Sequence, residues 1–275
     1  MKPAEFDYLG AESPDEALDA LGRHGEDARV LAGGQSLMAM LNMRLASQQI
    51  LIDIGRIEPW RYVRADGGVI EVGAGTTQAE LLAWPDLAAK APLLAKALPH
   101  VGHLQTRSRG TVCGSLCHAD PSSELPLCLA VLGGEVVLKS AKGSRTLAAK
   151  DFQTGMLSTA RKPDEIAVAA RFPVARAGTG YAFEEVTRRH GDFAIVAVAA
   201  AVSGPSVRVA VGGVADRPMV REWTGLTEAD MADALNGLAW EMGGFDDIHA
   251  TARYRRELVR RIGARVIEEA RTCRS

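Results

Sequence analysis

Residues Val30-Leu31-Ala32-Gly33-Gly34-Gln35-Ser36-Leu37 form an apolar run that breaks into two glycines and then a polar pair. A second glycine-bearing stretch lies far along the chain and reads Arg109-Gly110-Thr111-Val112-Cys113-Gly114-Ser115-Leu116-Cys117-His118-Ala119-Asp120-Pro121. Each stretch is typical of a strand that ends at glycine and continues into a short helix. Glycines there let the backbone approach a ligand closely, and the following amides and hydroxyls can bind phosphate. Two such loops predict a diphosphate held between two subdomains.

The composition limits the class of protein. The chain has 275 residues, of which 47% are hydrophobic, enough for one large domain or two or three smaller ones. Its 32 basic residues against 34 acidic ones argue against a nucleic-acid-binding protein. The sequence has no apolar run of about 18 residues, as a membrane span needs. The first residues include acids and no apolar core, which argues against a secretory signal, and we expect a cytoplasmic protein.

Several kinds of catalytic site are excluded by missing motifs. Neither glycine loop has the lysine of a nucleoside-triphosphate-binding loop, and the Gly-x-Ser-x-Gly and His-Glu-x-x-His patterns do not occur. The segment Gly73-Ala74-Gly75 lacks the third glycine of a Rossmann dinucleotide site. A metal site needs about four ligands, and the only candidates near Cys113 and Cys117 are His118 and Cys128. We therefore interpret these cysteines as packing residues.

The pattern along the chain predicts three units: residues 1–57, residues 58–175 and residues 178–275, with a linker over 174–180. Capping boxes begin helices at Ser13-Pro14-Asp15-Glu16 and Thr77-Gln78-Ala79-Glu80, and residues 88–98 are typical of one helix. The third unit has predicted strands over 181–186, 193–202 and 207–211, followed by helices over 227–238 and 251–271. The last helix has an apolar stripe beside several arginines, which fits either packing on its own domain or docking of a partner.

Together these stretches resemble the FAD-binding medium subunit of the molybdenum hydroxylases, as in carbon monoxide dehydrogenase and the xanthine, nicotine and caffeine dehydrogenase-type complexes. Ala32 to Leu37 resembles the A-G-G-x-S-L segment of that family. Thr111 to Pro121 resembles its T-[IV]-G-G-[ND]-x-x-H-A-D-P segment, which an acid follows, here Glu124. Gly180 to Glu184 and Gly191 to Ala194 resemble a third segment, so the similarity spans nearly the whole chain.

The resemblance implies an α+β protein. Its FAD-binding fold has two subdomains of the vanillyl-alcohol oxidase / PCMH type, and a C-terminal α+β domain of three strands and helices follows. It implies an oxidoreductase subunit that passes electrons from an iron–sulfur subunit, through FAD, to a terminal acceptor. FAD is expected to be non-covalent, since the sequence has no flavinylation motif. Molybdopterin and [2Fe-2S] clusters are expected only on the partners, a molybdopterin large subunit and an iron–sulfur small subunit.

The resemblance also implies roles for individual residues. The two loops are expected to bind the pyrophosphate, Glu124 the ribose hydroxyls, Ala167 the adenine or the ring edge through its backbone, and Asp192 with Phe193 the isoalloxazine. The full set of expected cofactor-binding residues is Ala32, Gly33, Gly34, Gln35, Ser36, Leu37, Thr111, Gly114, Ser115, His118, Asp120, Glu124, Ala167, Asp192 and Phe193.

Four positions depart from the pattern of the family. Cys113 stands in place of a glycine, Ser115 in place of Asn or Asp, and Phe193 in place of a tryptophan. Glu184 stands where xanthine-oxidising relatives have lysine, which counts against a nicotinamide site.

Plainer interpretations remain open for several of these residues. The glycines can be ordinary turns, His118 a structural histidine, and Phe193 a core residue. Asp120 can cap the helix that carries Glu124 instead of contacting a ligand. Two other functions remain open as well: a stand-alone FAD-dependent oxidase or dehydrogenase of the same fold, and a scaffold that has lost its flavin.

Overall fold

Three main sheets organise residues 2–273, the part of the chain that our computed structural model describes. The first unit contains strand β1 (Asp7–Gly10), helix α1 (Pro14–His24), strand β2 (Ala28–Leu31), helix α2 (Leu37–Asn42) and strand β3 (Ile50–Asp53). Its three strands are parallel, in the order β1-β3-β2. The Ser13 hydroxyl caps α1, and the apolar face that follows it is buried against the sheet.

The second unit alternates strands with short helices. It begins with β4 (Val63–Asp66), β5 (Val69–Gly73), α3 (Gln78–Leu82), α4 (Leu87–Lys90), α5 (Pro92–Ala97), α6 (Leu104–Arg109), α7 (Val112–His118) and α8 (Glu124–Leu132). It continues with β6 (Glu135–Ser140), β7 (Gly143–Ala148), α9 (Ala149–Phe152), β8 (Gln153–Gly155), β9 (Ser158–Thr159) and β10 (Ile166–Pro173). Five of these strands form an antiparallel sheet in the order β4-β5-β10-β6-β7. Strands β8 and β9 pair separately as a hairpin.

The third unit is an antiparallel sheet with two helices on one face. It consists of β11 (Thr179–Val186), β12 (Val196–Ser203), β13 (Ser206–Gly212), β14 (Met219–Thr224), α10 (Glu228–Glu241) and α11 (Ala252–Thr272), with the strands paired in sequence order. Strand β12 is apolar along nearly its whole length because both faces of the sheet are covered. One face packs on α10 and α11, and the other packs on the second unit.

The structure corrects several predicted elements. The third unit has four strands, not three: β14 is a half-exposed edge strand whose alternating polar residues give only a weak apolar signal. The predicted helix over 88–98 is divided at Ala91, because Pro92 disfavours helical backbone in the residue before it. The second glycine loop follows helix α6 rather than a strand, and Thr111 makes only a single bridge to Thr77.

Apolar contacts cross the predicted domain boundaries. Tyr181 and Phe183 of the third unit belong to the same buried cluster as Leu125 of the second. The loop after β13 is also tied to the second glycine loop, since the Gly213 amide donates to the Pro121 carbonyl at 2.8 Å. Because these contacts join the units, the structure does not set the limits of separate domains, and the ranges 1–57, 58–175 and 178–275 stay a prediction. The same contacts hold the three units around one cavity.

Candidate cofactor site

A cavity of about 540 Å³ opens between the three units, and both glycine loops line it. That size is within the usual range for a pocket that holds a small organic molecule or cofactor. All but one of the fifteen sequence-predicted residues line this cavity: Ala32, Gly33, Gly34, Gln35, Ser36, Leu37, Thr111, Gly114, Ser115, His118, Glu124, Ala167, Asp192 and Phe193. Residues that the sequence separates by more than a hundred positions are thus brought to one site.

The first loop presents a row of free backbone donors. Gly34 has φ of +72°, which a glycine adopts without strain, and this turns the chain from β2 into α2. The amides from residue 33 to residue 37 donate no hydrogen bond to any of the described residues, and Met38 is the first to donate, to the Gly34 carbonyl. Consecutive unpaired amides ahead of a helix form a concave anion site.

The second loop is arranged around a helix cap. The Thr111 hydroxyl accepts a hydrogen bond from the Gly114 amide at 3.0 Å and so begins helix α7. A methyl group on Gly114 would lie 2.6 Å from that hydroxyl oxygen, so the glycine is needed for the cap itself. Cys113 does not disturb this arrangement. Its side chain is 3% exposed, and its sulfur lies 3.7 Å from the Val72 carbonyl oxygen in the core.

Two arginines that were not predicted from the sequence, Arg29 and Arg161, also line the cavity. The Arg161 guanidinium donates to the carbonyls of Lys162 and Glu165, which fixes its position. Arg29 on β2 has its pKa lowered by burial and by the charge of Arg161. The only signal in the sequence was the position of Arg29 directly before the first loop, and Arg161 gave none. These arginines supply positive charge that a chain of net charge -2 lacks overall.

A buried amide also faces the cavity without a partner. Gln78 is the first residue of α3, and its Oε1 atom makes no hydrogen bond within residues 2–273. The Gln78 side chain lines the cavity beside Gly110. Burying a polar atom without a partner is costly, so this atom is suited to a ligand that supplies a donor.

Glu124 is the most perturbed acid of the site. It is 4% exposed, and burial, with the nearby charge of Glu185, raises its pKa to about 8. His118 on α7 is affected in the opposite sense, because burial lowers its pKa. Glu124 is thus a neutral hydrogen-bond donor near neutral pH, and His118 is an uncharged imidazole.

The positions of two side chains bear on the alternatives that the sequence left open. Phe193 is 59% exposed at the cavity wall, so it is not a core residue. Asp120 does not line the cavity, and its carboxylate accepts a hydrogen bond from the Ser122 amide at 2.8 Å. That contact makes a turn before α8, whose capping position is Ser123, so the expected ligand contact of Asp120 has no support from its position.

Within residues 2–273, no three His, Cys, Asp or Glu side chains are grouped so that they could hold a metal ion. Cys113 and Cys128 are buried and Cys117 is half-buried, and both Cys113 and Cys117 line the cavity.

Comparison with known proteins agrees with this geometry. The pattern described as "FAD binding domain in molybdopterin dehydrogenase" matches residues 4–175, and that described as "CO dehydrogenase flavoprotein C-terminal domain" matches residues 181–270. The chain belongs to the FAD-binding medium subunits of the molybdenum hydroxylases.

Individual relatives cover most or all of the chain. The 6-hydroxypseudooxynicotine dehydrogenase complex subunit alpha of Paenarthrobacter nicotinovorans is 33% identical, covering 98% of this chain and 96% of its own. The carbon monoxide dehydrogenase medium chain of Hydrogenophaga pseudoflava is 36% identical, covering 81% and 79%. One chain in the solved structure of the reconstituted CO dehydrogenase from Oligotropha carboxidovorans is 31% identical to this chain and matches its fold with a TM-score of 0.94. The match covers 99% of this chain and 100% of that chain.

Membership confirms the predicted family, the fold class and the role as the flavoprotein subunit of an oxidoreductase complex. Medium subunits of this family carry FAD, and their partners carry the molybdopterin and iron–sulfur centres. No helix among the described residues is long and apolar enough to cross a membrane. Which residues of this chain contact FAD is not decided by membership, and those assignments remain predictions.

Proposed function

We propose that this chain holds FAD non-covalently in the cavity between its three units and passes electrons from an iron–sulfur subunit to a terminal acceptor. The observation that carries the proposal is the pairing of the two glycine loops at one cavity, with free amides on the first and a capped helix on the second. A cytoplasmic location, predicted from the sequence, belongs to the same proposal.

Different residues of the cavity suit the charged and the uncharged parts of FAD. The free amides of the first loop bind the pyrophosphate, together with the Thr111 to Ser115 segment. Arg29 and Arg161 offset its negative charge. The unpartnered Gln78 Oε1 accepts a hydrogen bond from a ligand hydroxyl or amine.

Other lining residues suit the flavin ring. Val101, Gly102, Asp192 and Phe193 line the cavity, and Gly102 lies against Gly191, the residue before Asp192. Glu124 lines the same cavity, and its contact with the ribose or with the ring stays a prediction. The exposed ring of Phe193 can pack against an aromatic ligand at the rim.

When bound, FAD accepts electrons singly or in pairs, which links one-electron iron–sulfur centres to a two-electron acceptor. The chain itself binds and orients the cofactor, excludes water from most of it and holds a proton on Glu124. No nucleophile or metal is required of this subunit, since the organic substrate is oxidised at the molybdenum centre of a partner.

The visible spectrum of the purified chain tests the proposal, before and after incubation with FAD and after acid precipitation. We expect a flavin spectrum, and we expect FAD in the supernatant after precipitation. Flavin that stays in the pellet would show a covalent bond and contradict the non-covalent site. No flavin uptake would contradict the proposal altogether and would favour a scaffold without a cofactor.

A second measurement separates this function from a self-sufficient oxidase. The FAD-loaded chain is mixed with candidate organic substrates in the absence of any partner, and the flavin absorbance is followed. We expect no bleaching, because the substrate is oxidised elsewhere in the complex. Bleaching by an organic substrate alone would favour the stand-alone FAD-dependent dehydrogenase.

A further inference from the structure

A buried acid and a histidine form a pair just behind the cavity wall. The Glu185 side chain is 3% exposed, and its Oε1 lies 3.2 Å from Nδ1 of His100. The other oxygen, Oε2, is buried and has no hydrogen-bond partner among the described residues. Such an oxygen is costly to bury and calls for an explanation.

The direction of Glu185 follows from the alternation of strand β11. Phe183 and Glu185 lie on the face that meets His100, and the His100 and Phe183 rings are 5.2 Å apart. Glu184, between them, lies on the other face and pairs with Arg265 of α11. The strand thus directs one of two adjacent acids inward, toward His100, and leaves the other at the outer surface.

The pair is coupled electrically to Glu124 in the cavity wall. The charge of Glu185 raises the pKa of Glu124, and the charge of His100 lowers it. The same two acids raise the pKa of Cys128, one turn along α8. Asp120 is the other acid that acts on Glu124. Glu185 holds the pKa of His100 above its usual value, so this imidazole gains a proton readily.

Further imidazoles continue from the pair to the surface. The His190 ring lies 6.1 Å from that of His100 and 6.2 Å from that of His103. His190 and His103 are exposed. His103 also packs on Gly191, and Gly191 lines the cavity next to Asp192. A row of imidazoles therefore runs from solvent to the Glu185–His100 pair, beside the cavity that Glu124 lines.

We propose that Glu124, Glu185 and His100 transfer protons between solvent and the flavin in this cavity, an inference that rests on the proposed function. Full reduction of a flavin takes up two electrons and two protons, and its reoxidation returns them. The electrons come from the iron–sulfur partner and leave to the acceptor. These three residues form a proton route, along which no electrons move. Glu124 gives its proton to the cavity, the Glu185–His100 pair restores it, and solvent reprotonates His100.

The test follows proton uptake with a pH-indicator dye while reduced methyl viologen, which delivers electrons without protons, reduces the FAD-loaded full chain. Glu124→Gln and Glu185→Gln keep the size of each side chain but remove the proton. We expect each to slow proton uptake by about tenfold or more, within the range of general acid–base effects. The matched control is Glu184→Gln, on the outer face of the same strand, which should leave the rate unchanged.

Two further readouts distinguish proton transfer from a structural role. Formic acid, small enough to enter the cavity, should restore the rate in Glu124→Gln. The infrared difference spectrum between the oxidised and reduced chain should show the band of a protonated carboxyl, and Glu124→Gln should lack it. His100→Gln changes no residue of the cavity lining and tests the route independently if Glu124→Gln does not fold.

The outcomes that overturn the route are distinct from failure of the proposed function. Wild-type uptake rates in Glu124→Gln, or in both Glu185→Gln and His100→Gln, would overturn the route while FAD binding stands. A slowed Glu124→Gln that formic acid does not restore would overturn it as well. A wild-type chain that takes up no FAD would overturn the proposed function, and the route with it.

Discussion

Gly33 of the first loop lies directly on the backbone of Arg109, which begins the second. A methyl group placed on Gly33 would stand 2.0 Å from the Arg109 carbonyl oxygen and 2.7 Å from Cα of Gly110. The two loops are therefore in backbone contact, and no side chain fits between them. This contact sets the spacing of the groups proposed to bind pyrophosphate.

Gly33→Ala is expected to separate the loops. Overpacking of this kind costs about 1–3 kcal/mol, and here the obstacle is backbone, which cannot rotate away. We expect a lower free energy of unfolding and FAD affinity reduced by at least about tenfold, which corresponds to about 1.4 kcal/mol. Urea unfolding and fluorescence titration with FAD measure the two effects.

The control for that variant is Gly22→Ala, at an exposed position in the last turn of α1. A methyl group on Gly22 meets nothing within 4 Å, so the substitution should leave FAD binding unchanged and stabilise the chain by about 0.5–1 kcal/mol. Full FAD affinity in Gly33→Ala would show that the contact between the loops does not govern the site.

Thr111→Ala should affect both folding and cofactor binding, because the Thr111 hydroxyl caps α7 at the cavity. Loss of a threonine cap costs about 1 kcal/mol. Thr227→Ala is a matched control, since Thr227 caps α10 in the same way, away from the cavity. We expect similar losses of unfolding free energy from the two variants and weaker FAD binding only from Thr111→Ala. Equal FAD affinities in the two would contradict a role for this cap in the site.

Much of the site was predictable because its signals are local. The glycine loops stand out as breaks in apolar runs, and the cap at Thr77 forms both hydrogen bonds of the predicted capping box. Arg161 was not predictable, since it reaches the cavity only through the fold and is held by carbonyls of its own loop. The second loop was misjudged locally: Thr111 pairs at a single bridge, and the pattern of residues 104–109 hides a short exposed helix. Strand β7 was not predicted from the sequence either, because its polar residues take their conformation from pairing with β6.

Arg255 is expected to hold the third unit together. Arg255 is 2% exposed, and its guanidinium donates to the carbonyls of Ile195 and Gly213 and to the Asp247 carboxylate. Arg255→Met removes the donor from the buried carbonyls of Ile195 and Gly213, and a buried acceptor left without a partner costs about 1–3 kcal/mol. The Asp247 carboxylate is exposed, so loss of its ion pair adds little. Arg253→Met, on the exposed side of the same helix, should change the unfolding free energy by less than about 0.5 kcal/mol. Comparable urea midpoints for the two variants would contradict this role.

Glu124 should make the stability of the flavin-free chain depend on pH. Burial raises its pKa to about 8 from 4.5, so the folded chain keeps a proton that the unfolded chain releases. That proton favours the folded state fully below pH 4.5, and the contribution is lost as the pH rises through about 8. Glu124→Gln has no proton to lose, so its unfolding free energy should rise relative to wild type with increasing pH. The difference should change by at most about 1.4 kcal/mol per pH unit. Urea unfolding of both chains between about pH 5 and 9 measures it. A constant difference would mean that Glu124 titrates alike in the folded and unfolded chain, which its burial in the cavity wall argues against.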